Sequence, residues 1–337
     1  MRNQSEVKLV LLTLLHLLTD GVCGAVLAGY ALSEPYYEPI VYWFMVYTIL
    51  AFGLQGPTGL LLDKYPVLIR SGLLISAGLL FVGCFSVLPI CYRIIFVGLG
   101  NCLFHVSGGI IVLRMTAGFK EPGLFVAGGA IGLALGLCSI LGVWVLVVVD
   151  LLITLVIWRM LADGQEWDAC CPDNFLFDVD VSVMWRSICL GLLLGCIVLR
   201  GFSGGNGFPV PLLTVPFVMA VGKYCGGLSA DRFGWRRTVL GIFIVSFLSL
   251  QFSGIVAWLV FLFACNMTMP LTLRLAHRCF GNNPGFMFGL AASALVPGAV
   301  FKGIMVCPPQ LIAALQFIIL VVCGKKLLGR RGENAGM

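Results

Sequence analysis

The chain has 337 residues, of which 60% are hydrophobic and only 11% charged, and its mean hydropathy is +1.05. A soluble domain carries about 25% charged residues, so a soluble enzyme, a disordered protein and a nucleic-acid binder are excluded, and a net charge of +6 reads as the basic bias of cytoplasmic loops rather than as affinity for nucleic acid. A transmembrane β-barrel is excluded too, because its alternating pattern holds mean hydropathy much lower.

A membrane-spanning helix needs about 20 apolar residues. In chain order the sequence predicts twelve: about 8–32, 40–62, 69–89, 91–115, 122–140, 142–158, 185–204, 208–230, 238–253, 255–277, 284–304 and 307–328. The fifth and sixth are nearly fused and the ninth is short, so ten or eleven spans are the alternative. The first run is not read as a cleaved signal peptide, because His16 and Asp20 interrupt it. The 14 cysteines form no C-x-x-C pair and mostly lie inside apolar runs, where they act as small hydrophobes. Only Cys91 and Cys307 fall near predicted outer ends, so no disulfide framework is expected.

With the N-terminus inside, all but four of the 21 Lys and Arg fall on the cytoplasmic side. The four are Arg93 in an external loop, and Arg200, Lys223 and Lys302 within spans. The first external loop carries Glu34 and Glu38 instead. Both termini are therefore expected in the cytoplasm, which requires an even number of spans. The one long polar segment holds Asp163, Glu166, Asp168, Asp173, Asp178 and Asp180. It reads as a solvated cytoplasmic connector over 159–183, between six-helix units at 1–158 and 184–337. The fold class is thus an all-α polytopic membrane protein of about twelve helices in two pseudo-symmetric six-helix bundles.

An internal repeat supports this division. Gly59-Leu60-Leu61-Leu62-Asp63-Lys64-Tyr65 is similar to Gly227-Leu228-Ser229-Ala230-Asp231-Arg232-Phe233, at an offset of 168, and Pro122-Gly123-Leu124-Phe125 to Pro284-Gly285-Phe286-Met287, at an offset of 162. Both offsets are about half the chain. Gly59 and Gly227 let a neighbouring helix approach. Asp63 and Asp231 sit at helix ends beside Lys64 and the Arg232, Arg236, Arg237 cluster, where a carboxylate facing cations makes a latch that can break.

The run Gly227 to Thr238, with Asp231, Arg232, Gly234, Arg236 and Arg237, closely resembles the signature loop of the major facilitator superfamily. The resemblance implies two six-helix bundles, a central cavity, and alternating access by rocking one half against the other. The first-half copy departs from the pattern, with Pro66 in place of the second Gly and no Arg pair, which implies a weaker latch there. A narrower resemblance covers His16 to Asp20, Gly98 to His105 and Gly128 to Gly136, which look like the fosmidomycin-resistance branch of efflux proteins. It implies efflux at a bacterial inner membrane. Val106, Ser107 and Ala130 depart from that branch.

Ionisable residues at membrane depth are costly, so each is a functional candidate. His16 and Asp20 are four apart and share a helix face. In the resembled fold the first and fourth helices line one cavity, which would bring Asp20 and His105 together as a proton site, or as a structural network tying two helices. Arg200 has three readings: attraction of an anionic substrate, pairing with Asp20, or snorkelling to the outer interface. Lys223 lies deeper, Lys302 is expected to snorkel, and Asp150 has no assigned role. The glycine face Gly128, Gly129, Gly132 and Gly136 allows close helix packing. In antiporters of the resembled superfamily such a face is associated with exchange.

No phosphate-binding G-x-x-x-x-G-K-[ST] loop and no H-E-x-x-H is present. Gly201-Phe202-Ser203-Gly204 matches the G-x-S-G of rhomboid-type intramembrane proteases, but the necessary histidine is not nearby in sequence, and no enzyme activity, cofactor or metal is expected. The reading is a proton-coupled secondary transporter, an exporter of a small molecule, with Arg200 and Lys223 hinting at an anionic, phosphonate-like compound. It would work as a monomer in the lipid bilayer with protons as the coupling ion and no nucleic-acid partner. An importer of the same fold and a non-transporting membrane sensor are the alternatives.

Overall fold

The structure is a computed structural model, and it describes residues 2–162, 181–203, 211–301, 305 and 307–328. Of the connector expected over 159–183, residues 163–180 lie outside the described residues, as does Lys302, while 159–162 and Val183 belong to helices. Twelve helical spans run through the described part: α1 (Arg2–Ser33), α2 (Tyr37–Thr48 and Gln55–Lys64), α3 (Val67–Gly83), α4 (Ile90–Met115), α5 (Lys120–Leu137), α6 (Val143–Ala162), α7 (Val183–Phe202), α8 (Thr214–Phe233), α9 (Trp235–Ser249), α10 (Ile255–Cys279), α11 (Pro284–Ser293 and Leu295–Phe301) and α12 (Pro309–Leu328). Seven of them are long and apolar enough to cross a membrane, and α3 and α11 add shorter apolar helices. In lipid a backbone group must be satisfied within its own segment, so helices are the form this sequence takes. The chain is an integral membrane protein.

The interruptions have local causes. Pro89 precedes α4 and Pro284 opens α11 at a position where its missing N–H costs nothing. A π-helical turn, Ile49–Gly53, joins the two pieces of α2. Pro270 lies inside α10, where it removes one helical hydrogen bond. The nearly fused fifth and sixth spans are separated at Ser139, the one described non-glycine residue with positive φ, at 51°.

Helix packing repeats between the halves. α1 packs on α4, α5 and α6, as α7 packs on α10, α11 and α12. α3 packs on α4 and α6, as α9 packs on α10 and α12. The halves meet through α2 with α11 and α5 with α8, two contacts that exchange under the same pseudo-symmetry. The largest apolar cluster crosses this junction: Leu12, Phe104, Ile110 and Phe125 from one half pack with Ile197, Met269, Leu273 and Phe288 from the other. On the outside, side chains such as Leu152 and Val156 of α6 remain exposed, as a lipid-facing belt requires.

Helix α5 lies on α1 through its glycines. A Cβ on Gly128 would meet the Thr13 carbonyl, one on Gly132 the Leu17 carbonyl, and one on Gly136 the Gly21 carbonyl. Gly298 of α11 stands against the Val198 carbonyl of α7 in the equivalent place. Gly132→Ala should therefore lower stability by about 1–3 kcal/mol through overpacking, seen as a lower melting temperature in detergent. Gly78→Ala, at an exposed position with nothing within 4 Å, should leave it unchanged.

Candidate functional site

Three of the membrane-depth residues named by the sequence come together. His16 and Asp20 on α1 face His105 on α4, and all three are buried. The His16 Nε2 lies 2.9 Å from His105 Nε2, 3.4 Å from Asp20 Oδ2, and His105 Nε2 lies 3.7 Å from Asp20 Oδ1. Asn101, one turn before His105, donates its amide to Asp20 Oδ1 at 2.6 Å and to Cys23 Sγ at 3.5 Å. Gly129 of α5 leaves the space they occupy, since a Cβ there would overlap His16 Nε2 and Asp20 Oδ2. The rings of Phe104 and Phe125 pack on His16, with centroids 5.5 and 4.5 Å away.

The proton count of this cluster follows from its partners. His16 Nδ1 faces the Phe125 carbonyl oxygen at 2.8 Å, and His105 Nδ1 faces the Asn101 carbonyl oxygen at 2.9 Å. A carbonyl only accepts, so both Nδ1 atoms carry hydrogen. Two neutral imidazoles would then oppose two Nε2 lone pairs at 2.9 Å. One further proton between them turns that contact into a hydrogen bond and makes the pair a cation, which the Asp20 carboxylate balances. The same three side chains offer ligand atoms within 4.8 Å of one another, enough to hold a divalent metal. Two ligands on one tetrahedral zinc stand about 3.3 Å apart at bonds of about 2.0–2.1 Å, so the 2.9 Å spacing suits one proton better.

Asp150 also acquires a partner. It is buried on α6 and accepts from Thr19 Oγ1 at 2.8 Å, so it ties α6 to α1 beside Asp20. Arg200 does not snorkel and does not reach Asp20. It is buried, and its Nη1 donates to Thr268 Oγ1 and Thr272 Oγ1 of α10 at 3.4 and 3.3 Å, with Nη2 on Met269 Sδ at 3.0 Å. Lys223 of α8 reaches the Val126 carbonyl of α5 across the junction, at 3.3 Å. Ser203 donates to the Arg200 carbonyl at 2.7 Å, and the histidines described in this site belong to the other half, so no serine–histidine pair forms there.

The paired signature segments close one end of the molecule, the end where the loops carry Lys64, Arg114, Arg232, Arg236 and Arg237. Asp63 accepts from the Gly285 and Phe286 N–H groups at the start of α11, both at 2.8 Å. Asp231 accepts from the Phe119 and Lys120 N–H groups at the start of α5, at 2.9 and 2.7 Å. The expected latch of carboxylate on arginine is thus replaced by carboxylate on helix N-terminus, where exposed N–H groups and the helix dipole favour a negative charge. Arg232 and Arg236 lie over the rings of their sequence neighbours Phe233 and Trp235, and Lys64 over Tyr65. The first-half latch is as complete as the second, despite Pro66. Gly59 and Gly227 permit the approach, because a Cβ would overlap Gly285 or Phe119 backbone. Gly234 turns the chain into α9 with φ of +83°, a conformation L side chains resist.

Sequence reasoning missed two groups. Asn101 is an ordinary helix residue in the sequence, and only the meeting of α1 and α4 shows its amide on Asp20. Arg274 counted as one more basic residue. It donates to the Gly118 carbonyl at 2.9 Å, the Leu113 carbonyl at 3.3 Å and Thr116 Oγ1 at 2.8 Å, binding α10 to the far half.

Each latch bond to a charged group is worth about 1.5–3 kcal/mol. The double variant Asp63→Asn, Asp231→Asn should open this end, measured as an increase of about tenfold or more in labelling of a cysteine placed at Ala117. Unchanged labelling would mean that apolar packing alone holds it shut.

No protein-family model matches the sequence, and no curated protein is a sequence match. Solved structures do match. The Escherichia coli fucose:proton symporter FucP is 13% identical with a TM-score of 0.64, covering 96% of this chain and 98% of that one. The XylE double tryptophan mutant is 14% identical with a TM-score of 0.56, covering 98% of each chain. A bacterial homologue of the iron transporter ferroportin, in its outward-facing state, is 11% identical with a TM-score of 0.53, covering 95% of this chain and 98% of that one. At these identities the likeness is one of fold: the chain has the twelve-helix fold of the major facilitator superfamily transporters.

Proposed function

We propose that this protein is a proton-coupled secondary transporter that works by alternating access, with the basic end in the cytoplasm and that end closed in the state described here. The observation that carries the reading is the His16–His105 contact. Both Nδ1 atoms are committed to carbonyls, so the 2.9 Å Nε2 to Nε2 contact holds one proton, beside a buried carboxylate. Removing that proton leaves two lone pairs in opposition and a carboxylate without its counter-charge. α1 and α4 must then shift at this level, and the floor formed by Phe104, Phe125, Met269 and Phe288 shifts with them. Proton occupancy is in this way tied to the junction that the two halves rock about.

The fold similarity to a protein named as a proton symporter supports the coupling ion. Export by exchange rests on the local resemblance around His16, His105 and Gly128 to Gly136, whereas the coupling named among the similar structures is symport. The proposal is accordingly proton-coupled transport, and the sign of the pH change in the assay below reads the direction. The importer of the same fold differs only in that sign.

The test is proton movement in proteoliposomes carrying a pH dye, driven by a panel of sugar phosphates, phosphonates, carboxylates and neutral sugars. Wild type should give a substrate-dependent pH change. Asp20→Asn should cut it by about 10- to 100-fold, the equivalent of one buried charge-assisted hydrogen bond. An undiminished signal in Asp20→Asn would remove this cluster from coupling. The shared proton is read separately by nitrogen-15 histidine resonance: a coupling across the hydrogen bond should join His16 Nε2 to His105 Nε2 and vanish in His16→Gln. Independent, unshared signals in wild type would contradict the proton count.

A further inference from the structure

We infer that Arg200, backed by Thr268 and Thr272, is the seat of the oxyanion headgroup of a small organic substrate, a carboxylate or phosphoryl group. This rests on the transport reading above and names the substrate class for it.

The argument begins with charge. Arg200 is only 5% exposed, and among the described residues no carboxylate lies within ion-pair distance of it. Its three contacts are to neutral acceptors. A buried cation without a counter-charge is expensive, and nothing in the packing of α7 on α10 requires one. The two threonines are set as acceptors: Thr268 gives its own hydrogen to the Cys265 carbonyl at 2.6 Å, and Thr272 to the Met269 carbonyl at 2.9 Å. They therefore hold Nη1 in place and leave its charge unneutralised.

The guanidinium has five N–H groups. Two on Nη1 are taken by the threonines and one on Nη2 by Met269. The Nε–H and the other Nη2–H have no protein partner among the described residues. Nε and Nη2 form one edge of the planar group, the kind of edge that receives a carboxylate or phosphoryl oxygen pair.

The place is equally specific. Arg200 joins α7 to α10 as Asp20 joins α1 to α4, so the pseudo-symmetry sets a cation opposite the carboxylate. Arg200 touches Met269, and His16 touches Phe125; both apolar residues belong to the largest cluster, which crosses the junction. Lys223 stands between them, within electrostatic reach of Arg200, Asp20 and His105. With the shared proton neutralised by Asp20, and with Asp150 turned to Thr19 on the α6 side, Arg200 and Lys223 are the cations left at this floor. An anion of one or two charges completes it.

Equilibrium binding in detergent tests this on the full-length purified protein, by calorimetry and by melting temperature. The probes are lactate, malate, glucose 6-phosphate and methylphosphonate, against lactamide and glucose as neutral counterparts. At least one anion should bind saturably and raise the melting temperature, and the neutral compounds should not. Carboxylates alone or phosphoryl compounds alone then identify the headgroup. Arg200→Gln should abolish that binding, and Arg200→Lys should weaken it by about tenfold or more, since one charge remains without the fork. Without ligand, Arg200→Gln should melt no lower than wild type, because it removes an uncompensated buried charge. A clearly lower melting temperature for ligand-free Arg200→Gln, equal binding of the neutral compounds, unaltered binding in Arg200→Gln, or no binding by any of the four anions would each overturn the proposal. Binding that persists in Asp20→Asn while proton movement is lost would uphold it, and would separate its fate from that of the coupling mechanism.

Discussion

Two carboxylates rest on the N-termini of helices from the opposite half, and the arrangement of the basic end is built around them. Asp63 on the start of α11 and Asp231 on the start of α5 each satisfy two N–H groups that a helix cannot satisfy itself. They draw the basic end shut, and Gly59 and Gly227 let the backbones come close enough for the bonds to form. With that end closed, Phe104, Phe125, Met269 and Phe288 pack into one floor, and the polar groups of both halves are ranged along it. Such a latch suits a moving interface. It is made of a few charge-assisted bonds at an exposed rim, so it is strong enough to define a state and weak enough to be exchanged for another.

The groups along the floor divide by half. The first half supplies His16, Asp20, Asn101 and His105, an assembly in which the proposed shared proton would be balanced by the Asp20 carboxylate. The second supplies Arg200 with hydroxyls that can only accept from it. Low dielectric makes each unbalanced charge costly, so the buried Arg200 and the His16–His105 contact are the two features on which the proposed solute and proton would act. Gly129 of α5 stands against the first group, while the next residues of α5 reach Lys223 through the Val126 carbonyl. α5 therefore touches the proton cluster on one side and the cation of the second half on the other.

Much of this was legible before any coordinates. His16 and Asp20 sit four apart on one apolar helix, and the resemblance to a fold whose first and fourth helices line one cavity pointed to His105. The duplicated Gly-x-x-x-Asp segments located the latch. What could not be read was the latch's partner. Lys64 beside Asp63 and the Arg232, Arg236, Arg237 cluster beside Asp231 suggested side-chain ion pairs, whereas the carboxylates accept from backbone N–H groups over 100 residues away in sequence. Backbone donors leave no trace in residue identity. For the same reason Asn101 and Arg274 were invisible: an amide or a guanidinium takes its meaning from what it faces.

The sequence by itself determined the class and the layout. Apolar runs of about 20 residues, the one-sided distribution of Lys and Arg, and the repeat offset of about half the chain state a twelve-helix, two-part membrane protein, because the bilayer imposes length, satisfaction of the backbone and charge placement on each helix separately. Only the tertiary structure decided which polar groups meet. Whether Arg200 finds a carboxylate, snorkels or stays alone depends on the rotation of α7 against α10, and whether two histidines share a proton depends on a few tenths of an ångström between α1 and α4. Those are set by packing among many helices at once, and no single helix encodes them.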